Sequence, residues 1–214
     1  MTPRDKDGFF SPREEILNSL THGIGAGLSI AALVILIITA TRQGTTWHVV
    51  GFTIFGSMLV LLYLASTLYH GIQYRPAKQI LRKVDQGAVF LLIAGSYTPF
   101  LFTVLRGPWG WSLFGVIWGL AILGLVSRFI KGGTVRNMAL VIYLFMGWMM
   151  LVAIKPLLAN SPPSVLMWIA IGGLAYTVGV VFYAWEKLPY GHAVWHICVL
   201  GGSISHFFAV MNTI

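Results

Sequence analysis

Seven stretches of mostly apolar residues follow one another along this chain, joined by short polar connections. They run roughly over 19–41, 48–72, 84–105, 110–130, 137–157, 164–185 and 191–213. A helix needs about 20 such residues to cross the hydrocarbon of a bilayer. Only helices and closed barrels satisfy their backbone polar groups there. The separators RQGTTW, QYRPAKQILRKV, RGPWG, KGGTVR, ANSPPS and EKLPY are polar or turn-forming and too short to divide domains. The pattern predicts an all-α integral membrane bundle of seven transmembrane helices over 19–214, preceded by a polar lead-in over 1–18. Composition agrees: 57% of residues are hydrophobic and 9% charged, against about 25% charged in soluble domains.

Lysine and arginine set the expected orientation, because short cytoplasmic loops carry the excess of basic residues. Arg4, Lys6 and Arg13 precede the first span, and Arg75, Lys78, Arg82 and Lys83 follow the second. Arg128, Lys131 and Arg136 lie around the fourth connection, and Lys187 in the sixth. Only Arg42, Arg106 and Lys155 fall on the other side. The N-terminus is therefore expected in the cytoplasm and the C-terminus outside, in a multi-pass membrane protein. The first eighteen residues show no removable signal, so the first helix should direct insertion. Trp47, Trp109 and Trp111 suit an outer aromatic belt, Trp185 and Trp195 an inner one. The net charge of +8 fits contact with anionic lipid headgroups, and no nucleic-acid motif surrounds the basic residues. Cys198 is the only cysteine, so no intrachain disulfide can form.

This orientation sorts the ionisable residues by depth. His192 and His196 are four apart at the start of the last span, so on a helix both imidazoles project from one face. His70 ends the second span at the same level. Ionisable groups at bilayer depth are costly and usually face a bundle interior or a wet cavity. Three neutral imidazoles with a fourth position open is the layout of a catalytic zinc site, and all-nitrogen ligation suits one zinc ion best. His48 falls at the opposite end. His206 lies ten residues beyond His196, about 15 Å deeper, out of reach of the same ion.

The His192 pair lacks the glutamate of a metalloprotease helix, since Ala193 follows His192. Asp85 is the best candidate for a general base, the alternative being a plain ion pair with Arg82 or Lys83. Ser66 is one turn before His70 on the same face and could donate to a substrate carbonyl. Glu15, Asn18 and His22, spaced three and four, form a polar stripe suited to supporting the metal ligands. The alternative there is an amphipathic lead-in capped by Ser11 with Pro12 at the first helical position. Gly23 and Gly27 form a GxxxG, and Gly201 and Gly202 a pair within the last span. Both read as close-packing surfaces. Pro99 should kink the third helix.

EEILNSLTHGIGAG, LASTLYHGI, DQGAVFLLIAGSYTPF and YGHAVWHICVLGGSISHF, in that order, resemble the pattern of the bacterial hemolysin III family. That family lies within the progestin and adipoQ receptor superfamily, which more distantly resembles the alkaline ceramidases. The resemblance covers essentially the whole chain. It implies seven helices, a cytoplasmic N-terminus, and a zinc near the cytoplasmic side held by His70, His192 and His196. Asp85 and Ser66 match the polar partners near that metal. Gln86 stands where many bacterial members have histidine, which implies tuned metal affinity or activity.

Three functions are in play. The first is a zinc-dependent, ceramidase-like hydrolase of lipid amides or esters acting in membrane lipid homeostasis. The second is a non-catalytic, zinc-stabilised sensor or receptor. The third is cytolysis, which the absence of an export signal and of a barrel pattern disfavours. Membrane lipids are the expected partners, and the sequence leaves homo-oligomers open.

Overall fold

The computed structural model describes residues 8–130, 138–185 and 187–214. Asp5, Asp7 and Glu186, and Arg4, Lys6, Lys131 and Arg136 of the basic asymmetry, lie outside the described residues. Among the described residues seven helices follow one another: α1 (Pro12–Gln43), α2 (Thr46–Gly71), α3 (Arg75–Phe102), α4 (Pro108–Ser127), α5 (Ala139–Asn160), α6 (Pro163–Ala184) and α7 (Gly191–Met211). No strand occurs among the described residues. All but α3 are long and apolar enough to cross a membrane. The charges of Arg75, Lys78, Arg82, Lys83 and Asp85 in the first half of α3 set it apart.

The helix starts follow from local chemistry. Ser11 caps α1 in a full capping box with Glu14, and Pro12 supplies the fixed φ of the first position. Helix runs unbroken from Pro12 through the lead-in into the first apolar stretch, with the Ser11 cap and Pro12 start that the sequence offered. α3 likewise begins at Arg75 rather than 84, and carries Lys78 into the bundle. Pro108 opens α4 after Gly107 at φ 135°. Tyr190, at φ 58°, turns the chain into α7, and its N–H is held by Glu14 Oε1 at 3.2 Å.

α1 is polar inside and apolar outside. Glu15, Asn18, His22, Gly25 and Ser29 are buried, while Ile16, Leu20, Ile24 and Leu28 are exposed. A soluble helix would show the reverse; this arrangement suits lipid surroundings. The small-residue surface also differs from the GxxxG expectation. Gly27 is open, and Gly25 makes the close approach, against the Tyr63 ring of α2.

α1 packs on α2, α2 on α3, α3 on α4, and α6 on α7, while α1 also meets α7. α5 is held more loosely, and its middle tightens into a 3₁₀ stretch over Met149–Ala153. Pro156 lies one turn on and cannot donate to Val152, which explains the break. Irregular backbone at this depth must be satisfied by protein. Tyr97 of α3 does so: its hydroxyl donates to the Met146 and Gly147 carbonyls at 2.7 and 2.8 Å and accepts from Met150 N–H at 3.0 Å. Pro99 sits inside α3, which runs on only to Phe102. At that end Trp47 and Trp111 pack edge to face at 5.5 Å.

Candidate metal centre

Four helix termini meet at one end of the bundle: the start of α1, the end of α2, and the starts of α3 and α7. His70 occupies the last turn of α2 and is fully buried. Its Nδ1 meets Glu15 Oε2 of α1 at 2.5 Å. The other Glu15 oxygen lies 3.1 Å from Lys78 Nζ, and both side chains are 2% exposed. Lys78 also donates to the Tyr69 carbonyl at 2.8 Å and approaches those of His70 and Ile72. The lysine thus closes the end of α2 and the charge of Glu15 at once. A carboxylate on Nδ1 fixes the tautomer and ring plane, leaving Nε2 to ligate. His70 Nε2 is buried and has no hydrogen bond among the described residues.

His196, on α7, is oriented by α1 in a second way. Its Nδ1 lies 3.2 Å from the Asn18 carbonyl and 3.1 Å from Thr21 Oγ1. The Thr21 hydroxyl already donates to Asn18 O at 2.9 Å, so Nδ1 carries the proton and Nε2 is again the atom a metal could use. His192 is one turn earlier, its ring centroid 4.5 Å from that of His196 and 5.2 Å from that of His70. Phe10 covers it at 4.6 Å. Each histidine offers one nitrogen, and these three lie within 4.8 Å of one another. Nitrogens sharing one tetrahedral zinc at 2.0–2.1 Å stand about 3.4 Å apart. Small ring rotations close that difference. The donor set and the ligand-free Nε2 of His70 fit a metal ion.

The polar stripe of α1 reaches this cluster through three different contacts. Glu15 uses its carboxylate on His70, and Asn18 its backbone carbonyl on His196. His22 stacks on His196, centroids 3.5 Å apart and planes at 14°. The Asn18 amide and both His22 nitrogens have no hydrogen bond among the described residues.

Asp85, Ser66 and Gln86 line the cavity that opens beside the histidines. Ser66 Oγ is buried next to Asp85 but outside hydrogen-bond geometry. Asp85 makes no ion pair among the described residues; the buried pairing of this region belongs to Glu15 and Lys78 instead. Gln86 is held by its carbonyl, which accepts from Tyr143 at 2.6 Å. The cavity encloses about 520 Å³ and runs from His22, His192 and His196 to Leu157 and Leu166, past the 3₁₀ stretch at Met150. Its size is that of a small-molecule site, and its walls beyond the histidines are chiefly aliphatic and aromatic. His48 lies at the far end, bonded to the Thr213 carbonyl at 3.2 Å.

The sequence profile described as Haemolysin-III related matches residues 10–207. The chain belongs to the haemolysin-III related family. It is 49% identical to "Hemolysin-3" of Bacillus cereus over 205 residues, covering 93% of this chain and 91% of that one. It is 46% identical to "Hemolysin-3 homolog" of Bacillus subtilis (strain 168), covering 94% and 95%. A more distant likeness, 27% identity, joins it to the human "Monocyte to macrophage differentiation factor" over 92% of this chain and 83% of that one. With six apolar helices of spanning length among the described residues, this haemolysin-III protein is a multi-pass protein of the cell membrane.

Sequence reasoning missed Lys78, Thr21 and Phe10. Lys78 stood in a basic cluster and read only as a topology signal. Its site role depends on α3 starting at Arg75, nine residues before the apolar run. Thr21 had a weak signal, being one turn from Asn18 and adjacent to His22.

Proposed function

We propose that this haemolysin-III protein is a zinc-dependent hydrolase of lipid amides or esters, with all seven helices crossing the membrane and the histidine end in the cytoplasmic leaflet. One observation carries the reading. Three imidazoles from α2 and α7 converge within 4.8 Å, and two of them, His192 and His196, line an apolar cavity that also holds a carboxylate and a hydroxyl. Zinc there would supply a Lewis acid for carbonyl polarisation and water activation.

The chain's own groups do the rest. The lipid tail occupies the cavity, whose apolar walls replace its bilayer neighbours with no hydrophobic penalty, and the scissile carbonyl rests near the histidines. Asp85 accepts a proton from the attacking water and passes it to the departing amine or alkoxide as the C–N or C–O bond breaks. Ser66 donates a hydrogen bond to the carbonyl oxygen, which gains charge. Glu15 and Lys78 hold His70 in place, and Asn18 and Thr21 hold His196. Phe10 shields His192 from bulk solvent and keeps the local dielectric low.

The same shielding supports a second reading, a zinc-stabilised sensor in which lipid in the cavity biases α5 against α3 and α6. Turnover separates the two. Purified protein in lipid bilayers, given a panel of amides and esters, should release free acid by mass spectrometry, and His192→Ala should not. A wild type inert across the panel, yet stabilised by zinc and by lipid, would favour the sensor.

A further inference from the structure

Away from the histidine cluster, other polar side chains interrupt the apolar lining of the cavity. His206 of α7 borders it, and both ring nitrogens are buried without a hydrogen bond among the described residues. The Ile169 carbonyl of α6 approaches the ring but does not complete a bond. Tyr176 of α6 also lines the cavity, its ring edge-on to His206 at 5.4 Å. Behind it runs a hydroxyl chain. Tyr63 of α2 donates to Ser203 Oγ at 2.8 Å, and Ser203 and Tyr176 are 3.0 Å apart. Three hydroxyl hydrogens serve two oxygen–oxygen contacts, so one is left over. If Ser203 passes its hydrogen to Tyr176, the spare O–H belongs to Tyr176, at the cavity wall.

Close packing fixes both rings. A Cβ at Gly172 would overlap the His206 imidazole, and one at Gly202 would overlap the Tyr176 ring. Glycine at these two positions lets α6 and α7 approach until the rings stand side by side. A donor and an acceptor together in an apolar channel match a group that both accepts and donates. An alcohol does this; a methylene does neither.

We infer that Tyr176 and His206 form a second binding station, for a hydroxyl carried partway along the lipid chain in the cavity. The hydroxyl accepts from Tyr176 Oη–H and donates to an imidazole nitrogen of His206. The spacing follows from α7. Ser203 and His206 lie seven and ten residues beyond His196, about 10 to 15 Å along the axis. With single bonds of about 1.5 Å zigzagging at tetrahedral angles, an extended alkyl chain advances about 1.3 Å per bond, so the station meets a hydroxyl roughly eight to twelve bonds from a carbonyl at the histidine end. The inference rests on reading the cavity as a lipid site, but it does not require hydrolysis.

The test compares binding of octadecanoic, 2-hydroxyoctadecanoic and 12-hydroxyoctadecanoic acids to purified protein in detergent, by native mass spectrometry or calorimetry. The wild type should bind the 12-hydroxy acid about three- to tenfold more tightly than the parent acid, the worth of a net hydrogen bond or two. The 2-hydroxy acid should gain nothing that depends on His206. His206→Leu should abolish the preference and retain the parent acid. Tyr176→Phe, which removes one oxygen and keeps the ring, should reduce it. Equal binding of the 12-hydroxy and parent acids by the wild type overturns the station and leaves the lipid cavity standing. So does a preference that survives both substitutions. Binding of no acid at all overturns the lipid cavity, and the station with it.

Discussion

Lys78→Met should be among the most damaging single substitutions in this protein. The side chain is 2% exposed, its Nζ is 3.1 Å from Glu15 Oε1, and it donates to the Tyr69 carbonyl at 2.8 Å. Methionine fills the same volume but leaves the Glu15 charge buried with no cation beside it. Removing one partner of a buried pair costs about 3–5 kcal/mol, whereas replacing both is often near neutral. In a chain of this size each kcal/mol moves the unfolding midpoint by roughly 2–4 °C, so the single variant should melt some 10 °C lower. Glu15→Gln/Lys78→Met should recover most of that loss, the open Tyr69 carbonyl keeping it short of full recovery. Metal retention should not recover with it. An amide in place of the Glu15 carboxylate holds His70 Nδ1 more weakly, and such support is worth about 10–100-fold in metal affinity. Intrinsic tryptophan fluorescence of the detergent-purified variants, read during heating with and without chelator, measures the first quantity, and bound metal the second. If Lys78→Met shifts the midpoint by less than about 2 °C, or the two substitutions simply add, the buried pair does not organise this end of the bundle.

Other perturbations separate the remaining roles. Asp85→Asn should abolish lipid turnover while most of the metal stays bound, because asparagine keeps the shape but cannot take a proton; wild-type turnover in this variant would remove Asp85 from the chemistry. Tyr97→Phe should cost about 1–3 kcal/mol, since it strips a hydroxyl from the buried Met150 N–H and the Met146 carbonyl, and an unchanged melting midpoint would contradict the bracing of the 3₁₀ stretch. Reporter fusions should place the N-terminus in the cytoplasm and the C-terminus outside; a C-terminal phosphatase fusion that stays inactive would invert the orientation and move the histidine end to the other leaflet.

Much of the helical architecture was legible because membrane length and apolar composition leave few alternatives. The start of α1 was legible in Ser11 as cap and Pro12 at the first helical position, even though hydropathy put the apolar span itself at residue 19. α3 was harder. Its first nine residues are basic and look like a loop, yet they are helical and deliver Lys78 to Glu15. The three histidines stood out through spacing and depth. The contacts holding them did not, because an Asn18 backbone carbonyl or a Thr21 hydroxyl leaves no sequence periodicity of its own. Hydrogen bonds to backbone depend on how α1 lies against α7, and that register is set by packing. The pairing of Tyr176 with His206 was hidden for the same reason: it needs glycine on both facing helices, and neither glycine marks its partner.

Zinc content tests the central claim most directly. Detergent-purified wild type, analysed by elemental mass spectrometry, should carry about one zinc per chain, and His192→Ala/His196→Ala should carry almost none. The same loss should lower the melting midpoint, because a ligand bound only to the native state adds stability by mass action. Zinc content that is equal in the two proteins would contradict the assignment of His70, His192 and His196 as its ligands.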